Sequence, residues 1–173
     1  MYTLSTDEKV SRVMIYTLNT LVRGEVVTRQ NVRVSVWLRT EGAPEYMHIF
    51  KPQVVNLSGS WVNMPSYSEL YLPTSDVISF HLTPPDHDPI DYDESEINRI
   101  MQPITVLVGS FVFNGSMRVS TQVDLGTSII AGRAAWLSIY DVKITNPYLP
   151  QMEEVPVPML VVRPRQVCFA MIN

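Results

Sequence analysis

The segment Tyr46-Met-His-Ile-Phe-Lys-Pro-Gln-Val-Val-Asn56 aligns without a gap on Trp136-Leu-Ser-Ile-Tyr-Asp-Val-Lys-Ile-Thr-Asn146, an offset of 90 residues. Aromatic meets aromatic at 46/136 and 50/140, Ile49 meets Ile139, and Asn56 meets Asn146. Upstream, Leu21-Val-Arg-Gly24 aligns with Val112-Phe-Asn-Gly115 at offset 91; downstream, Pro73 meets Pro164 and Val77 meets Val167. Short strands resemble one another, so one such window carries little. Three windows in the same order at nearly one offset favour a duplication. A period this long is not that of a solenoid; it implies two copies of one small domain within 173 residues.

The stretch between the copies differs in composition. Residues 83–103 read TPPDHDPIDYDESEINRIMQP and hold six acids (Asp86, Asp88, Asp91, Asp93, Glu94, Glu96) against the single base Arg99. Their net charge of −5 exceeds that of the whole chain, −4. Prolines interrupt helix and ladder alike, and clustered acids repel. The chain is therefore read as a small β-barrel over 1–82, an acidic Pro-rich linker over 83–103 and a second barrel over 104–173. Asp93 followed by Glu96 resembles a capping box. It predicts a short helix over 94–101 that buries Ile97, Ile100 and Met101 on one face.

Strands dominate both copies. Residues 13–17 and 21–27 form a pair turning at Leu18-Asn19; residues 105–108 and 111–119 form its counterpart, turning at Gly109-Ser110. Gly24 and Gly115 then fall inside strands, where glycine marks a bend or a close backbone approach. Asn114-Gly115 could instead be a hairpin turn, but Arg23-Gly24 at the matching place makes a poor one. Short helices are expected over 31–39, with Val34, Trp37 and Leu38 on one face, and over 124–133, with Asp124 as N-cap and Ile129 and Ile130 facing inward. Further strands follow at 46–56, 70–72 and 77–82, and again at 136–146, 159–162 and 167–172. Five strands with one bent strand can close a small sheet into a barrel.

The bent strand, Arg33-Val-Ser-Val-Trp-Leu38, Met47-His-Ile-Phe50 and Leu72-Pro-Thr-Ser-Asp-Val77-Ile78 resemble a group of uncharacterised bacterial small-barrel proteins, similar in architecture to the Sm-like barrel. Gly115, Ile139-Tyr140 and Val162-Arg-Pro-Arg-Gln-Val167 look like a diverged second copy. The resemblance implies a mainly β fold of two tandem five-stranded Sm-like barrels, each with one short helix. It implies no activity. The Asp and Asn of the Sm-type RNA-binding loop are not recognisable after Gly24, so an RNA-binding role is not carried over.

Composition bounds function. Hydrophobic residues make up 46% of the chain, enough for a core. The acidic balance argues against DNA and RNA as partners. No apolar run approaches ~18 residues, so no helical membrane span is expected. The start MYTLSTDEKV lacks the pattern of a secretory signal, which makes the cytoplasm the expected location. The spacing of His48, His81 and His87 matches no zinc pattern, and no phosphate loop, nucleophile elbow or dinucleotide fingerprint occurs. We therefore expect no catalytic residue, metal or cofactor, and no enzyme activity. The sole cysteine, Cys168, has apolar neighbours and is expected to be buried. Asp86, Asp88, Asp91 and Asp93 read as a solvated linker, since an EF-hand loop would need Gly where Asp91 stands and Glu where Ile97 stands. Aromatics in loop-like sequence suit an interface; Trp61, Tyr67 and Trp37 are the candidates. Arg23, Arg33 and Arg39 are weaker candidates for RNA contact, because acids in the same copy neutralise them. The expected function is that of a non-enzymatic interaction or scaffold protein, contacting an unidentified protein or itself as a homo-oligomer. The alternative is an RNA- or nucleotide-binding module built on the small barrel.

Overall fold

The computed structural model describes residues 3–40, 42–57, 65–131, 134–149 and 151–171. It divides into two compact units, residues 1–88 and 89–173. Among the described residues each unit contains five strands, one short helix and one 3₁₀ turn, in the same order.

In the first unit these are β1 (Glu8–Tyr16), β2 (Thr20–Arg29), α1 (Val34–Arg39), β3 (Tyr46–Asn56), β4 (Glu69–Pro73), the 3₁₀ turn Thr74–Asp76 and β5 (Ser79–Leu82). The strands pair antiparallel in the order β5-β1-β2-β3-β4. Alternation along them sends Val13, Ile15, Val22, Val26, Met47 and Ile49 inward, where Phe80 joins them and α1 adds Val34 and Leu38.

The second unit comprises β6 (Arg99–Val108), β7 (Phe111–Ser120), α2 (Leu125–Ala131), β8 (Leu137–Thr145), β9 (Val155–Val162), the 3₁₀ turn Pro164–Gln166 and β10 (Cys168–Ala170). Its order is β10-β6-β7-β8-β9, again antiparallel. Ile104, Val106, Val108, Phe111, Phe113, Ile139 and Ile144 form its core.

Both glycines mark a bend within a strand. The β2–β3 register shifts between Arg23 and Glu25, and the β7–β8 register between Asn114 and Ser116. A Cβ on Gly24 would overlap Ile49 Cγ2 and stand 3.2 Å from the Phe50 carbonyl oxygen. On Gly115 it would stand 2.7 Å from the Tyr140 carbonyl oxygen. Only glycine permits that approach. The opposing strand absorbs the extra residue with a left-handed backbone at Lys51 (φ 47°) and at Asp141 (φ 50°). Asn114-Gly115 is thus not a hairpin turn; β7 runs through it.

Four expectations need correction. Among the described residues β4 does not pair with β5, nor β9 with β10, so neither unit's five strands close into a barrel among themselves. No helix forms over 94–101. Pairing with β7 (Arg99↔Ser120, Ile100↔Val119, Met101↔Arg118) supplies a full ladder, which a helix of two turns without a buried face cannot match. Ile97 is consequently 89% exposed, and Ile100 and Met101 are exposed as well. On α2, Ile130 points outward, 82% exposed, although Asp124 does cap the helix by accepting the Thr127 N–H at 2.8 Å. Cys168 is exposed on the end strand β10.

The acid-rich stretch is shared between the units. Asp86 pairs with Arg12 (3.2 Å) and Asp88 accepts the Ser35 N–H (3.0 Å), both within the first unit. Residues from Pro89 onward belong to the second.

Candidate functional site

The two units present the same sheet face in different states. In the first unit, the strand period that buries Met47 and Ile49 turns Tyr46, His48 and Phe50 to the other side. Across the ladder stand Pro73, Tyr71 and Glu69 in turn. The His48 ring stacks on Tyr71 at 4.4 Å and 14° and lies 4.1 Å from the Phe50 ring. His48 Nε2 is 2.9 Å from Glu69 Oε2, and the Tyr71 hydroxyl donates to the same oxygen at 3.2 Å. The His48 hydrogen bond is the main reason that the Glu69 carboxyl sits below its ordinary range. Tyr71 is pushed up by partial desolvation and then by the Glu69 carboxylate. Tyr46 and Tyr71 remain 51% and 58% exposed. The nearby cation Lys51 is held by Glu25 at 3.0 Å. The result is a preorganised aromatic slab with paired charges beside β4, which pairs with β3 and, among the described residues, with no second strand.

In the second unit the corresponding side chains are Trp136, Ser138 and Tyr140, and here a strap covers them. Asp91 accepts hydrogen bonds from Ser138 Oγ (2.7 Å) and from the Tyr140 hydroxyl (2.6 Å). Tyr92 meets Tyr140 edge to face at 4.9 Å, and the Arg118 guanidinium lies 4.4 Å above the Tyr92 ring. Arg118 also donates to the Asp93 carbonyl, to the Glu96 carbonyl and to the Glu96 carboxylate (3.2 Å). Alongside lies a cavity of about 400 Å³ whose lining includes Arg99, Met117, Arg118, Ser128, Trp136 and Tyr140. The Arg163 guanidinium caps the Trp136 ring at 4.4 Å.

The residues singled out from sequence lie on separate elements. Trp37 and Arg39 are half-buried on α1 and Arg33 is exposed just before it; Arg23 is exposed on β2. Tyr67 is exposed in the loop before β4, its backbone N–H bonded to the Pro52 carbonyl at 3.1 Å. Trp61 lies outside the described residues. Missing from that set is the Tyr46-His48-Phe50 row, whose signal was three aromatic rings at alternate positions of one strand.

A second histidine is enclosed. His81 is 3% exposed on β5; its Nδ1 lies 2.8 Å from the Leu82 carbonyl oxygen and its Nε2 3.0 Å from the Tyr16 hydroxyl. A carbonyl can only accept, so Nδ1 carries the proton and Nε2 accepts from Tyr16. Burial lowers His81 to a pKa of about 4 and raises Tyr16 well above the ordinary phenol range. This neutral pair ties β5 to β1 inside the first unit. Comparison with protein-family models, with curated proteins and with solved structures gives no match.

Proposed function

We propose that this chain is a non-enzymatic interaction protein that assembles with further copies of itself, built from two copies of one small five-stranded unit that resembles an opened Sm-like barrel. The single observation that carries the reading is the outward aromatic row of exposed Tyr46 and Tyr71 with half-buried His48 and Phe50, beside the one-sided strand β4. Exposed aromatics of this kind favour protein contacts, and a one-sided strand is a template for another. β10 is likewise paired on one side only among the described residues. With one edge open on each, β4 of one copy accepting β10 of the next is the assembly we favour. Support for the duplication lies in the repeated element order, in the bulges at Gly24 and Gly115, and in the left-handed residues Lys51 and Asp141 opposite them.

The RNA-binding alternative has aromatic rings and the exposed Arg23 of the neighbouring strand on its side, but Lys51 is paired with Glu25 and the chain as a whole is acidic. The test is sedimentation together with disulfide trapping. With Tyr71→Cys, Cys168 of a second copy should be captured under mild oxidation, giving covalent multiples of 19.7 kDa that vanish with Cys168→Ser. A chain that stays monomeric at ~100 μM, well above ordinary assembly affinities, and yields no trapped species would refute the assembly. Salt-dependent RNA binding by that monomer would establish the alternative instead.

A further inference from the structure

We infer that the outer face of β8 in the second unit is a recognition site for an acidic, tyrosine-bearing segment of a partner protein that turns as residues 91–96 do, and that this chain's own residues 91–96 hold it shut. The inference concerns a different unit from the aromatic row above and does not depend on it.

The strap defines the chemistry of its own replacement. One carboxylate, Asp91, takes two hydroxyl donors, from Ser138 and Tyr140. The phenol ring of Tyr92 is held between the edge of Tyr140 and the face of the Arg118 guanidinium. A second carboxylate, Glu96, pairs with Arg118, which also holds two backbone carbonyls. Carboxylate, ring and carboxylate are read in order along a backbone that turns over residues 93–96, and the carbonyl contacts are open to any sequence.

Three features make the strap a placeholder. First, residues 89–98 belong to no helix or ladder and 93–98 are all exposed, so residues 91–96 are held through side-chain groups of the second unit that a like segment can take over in turn. Second, the fold does not need the cover, because Tyr46, His48 and Phe50 hold the same face open in the first unit. Third, the adjoining cavity of about 400 Å³ is left unused by the strap. On its wall Arg99 pairs with no carboxylate, and the buried Ser128 Oγ has no hydrogen-bond partner, among the described residues. Departure of Asp91 and Glu96 leaves Arg99 and Arg118 facing an incoming acidic chain, which can reach the cavity groups the strap does not touch.

The probe is the blocked synthetic peptide Ile-Asp-Tyr-Asp-Glu-Ser-Glu, the sequence of residues 90–96, added to the full chain. Opening the site with Asp91→Asn and Tyr92→Ala should tighten peptide binding by about tenfold over the unaltered chain, because a closed majority taxes apparent affinity by the open fraction. Adding Arg118→Ala to the opened chain should remove binding. Equal weak binding by both chains, or binding indifferent to Arg118, overturns the inference. Should the opened chain fail to fold, the unaltered chain still decides. Excess unlabelled peptide should shift the backbone amide resonances of residues 91–96 in the isotope-labelled unaltered chain as the strap lifts; unchanged resonances overturn the inference. A dimer of the unaltered chain with exchanged straps would identify a second copy as the occupant and overturn it too.

Discussion

Acid should loosen the first unit through one residue. His81 is neutral and fully enclosed, donating from Nδ1 to the Leu82 carbonyl and accepting at Nε2 from the Tyr16 hydroxyl. A proton on Nε2 would turn the Tyr16 hydroxyl from donor to acceptor and, above all, place a charge in an apolar core. The folded pKa is therefore about 4, against an ordinary 6.5. Above pH 6.5 the ring is neutral in both states and its contribution to stability is intact. As pH falls below 6.5 the unfolded chain takes up a proton that the folded chain refuses, and stability declines until the folded ring also protonates near pH 4. The 2.5-unit gap corresponds to about 3 kcal/mol at full development and about 2 kcal/mol at pH 5. Urea unfolding followed by tryptophan fluorescence, at pH 7.5 and at pH 5, measures it. His81→Gln keeps an acceptor for Tyr16 without titrating, so it should lose about 2 kcal/mol less than the parent between these pH values. Equal losses in the two proteins would refute the reasoning.

Gly24→Ala drives a methyl group into Ile49 and should cost about 1–3 kcal/mol in chemical denaturation, with Gly115→Ala costing a similar amount through Tyr140 and Ile139. Ser79 is fully buried and its hydroxyl has no hydrogen-bond partner among the described residues, so Ser79→Ala should be neutral or stabilising by up to about 1 kcal/mol in the same assay. The exposed Cys168 thiol should react with a chromogenic disulfide in the folded chain, at dilutions that keep it monomeric, as fast as it does in urea. A strongly protected thiol would place β10 under cover.

The in-strand glycines were legible because they rest on local chemistry. A backbone approach that excludes a Cβ leaves a glycine behind wherever it occurs, and it did so twice, at Gly24 and Gly115. The left-handed residues opposite them were not legible: aspartate tolerates that backbone and lysine does not advertise it, so Lys51 and Asp141 carry no shared mark. The helix expected over 94–101 failed because a capping box reports only the local preference of Asp93 to Glu96, whereas the ladder from Arg99 to Ser120 is a long-range gain. Cys168 reads as buried by its neighbours, yet an end strand exposes residues that a central strand would hide. For the candidate faces, composition showed the acids of the strap but not their addresses. Asp91 finds Ser138 and Tyr140 nearly fifty positions away.

The bulges also govern how this chain can vary. At positions 24 and 115 the space for a side chain is already taken by the main chain and the isoleucine of the facing strand. Neither glycine can drift alone: a larger residue becomes tolerable only if Ile49 or Ile139 shrinks and the carbonyl behind it withdraws in the same step. The outward positions one residue along carry no such bond to their neighbours, which leaves Tyr46, His48 and Phe50 open to be rewritten as Trp136, Ser138 and Tyr140 without disturbing the frame. One scaffold can in this way hold two surfaces that diverge freely while the hinge beneath each stays put.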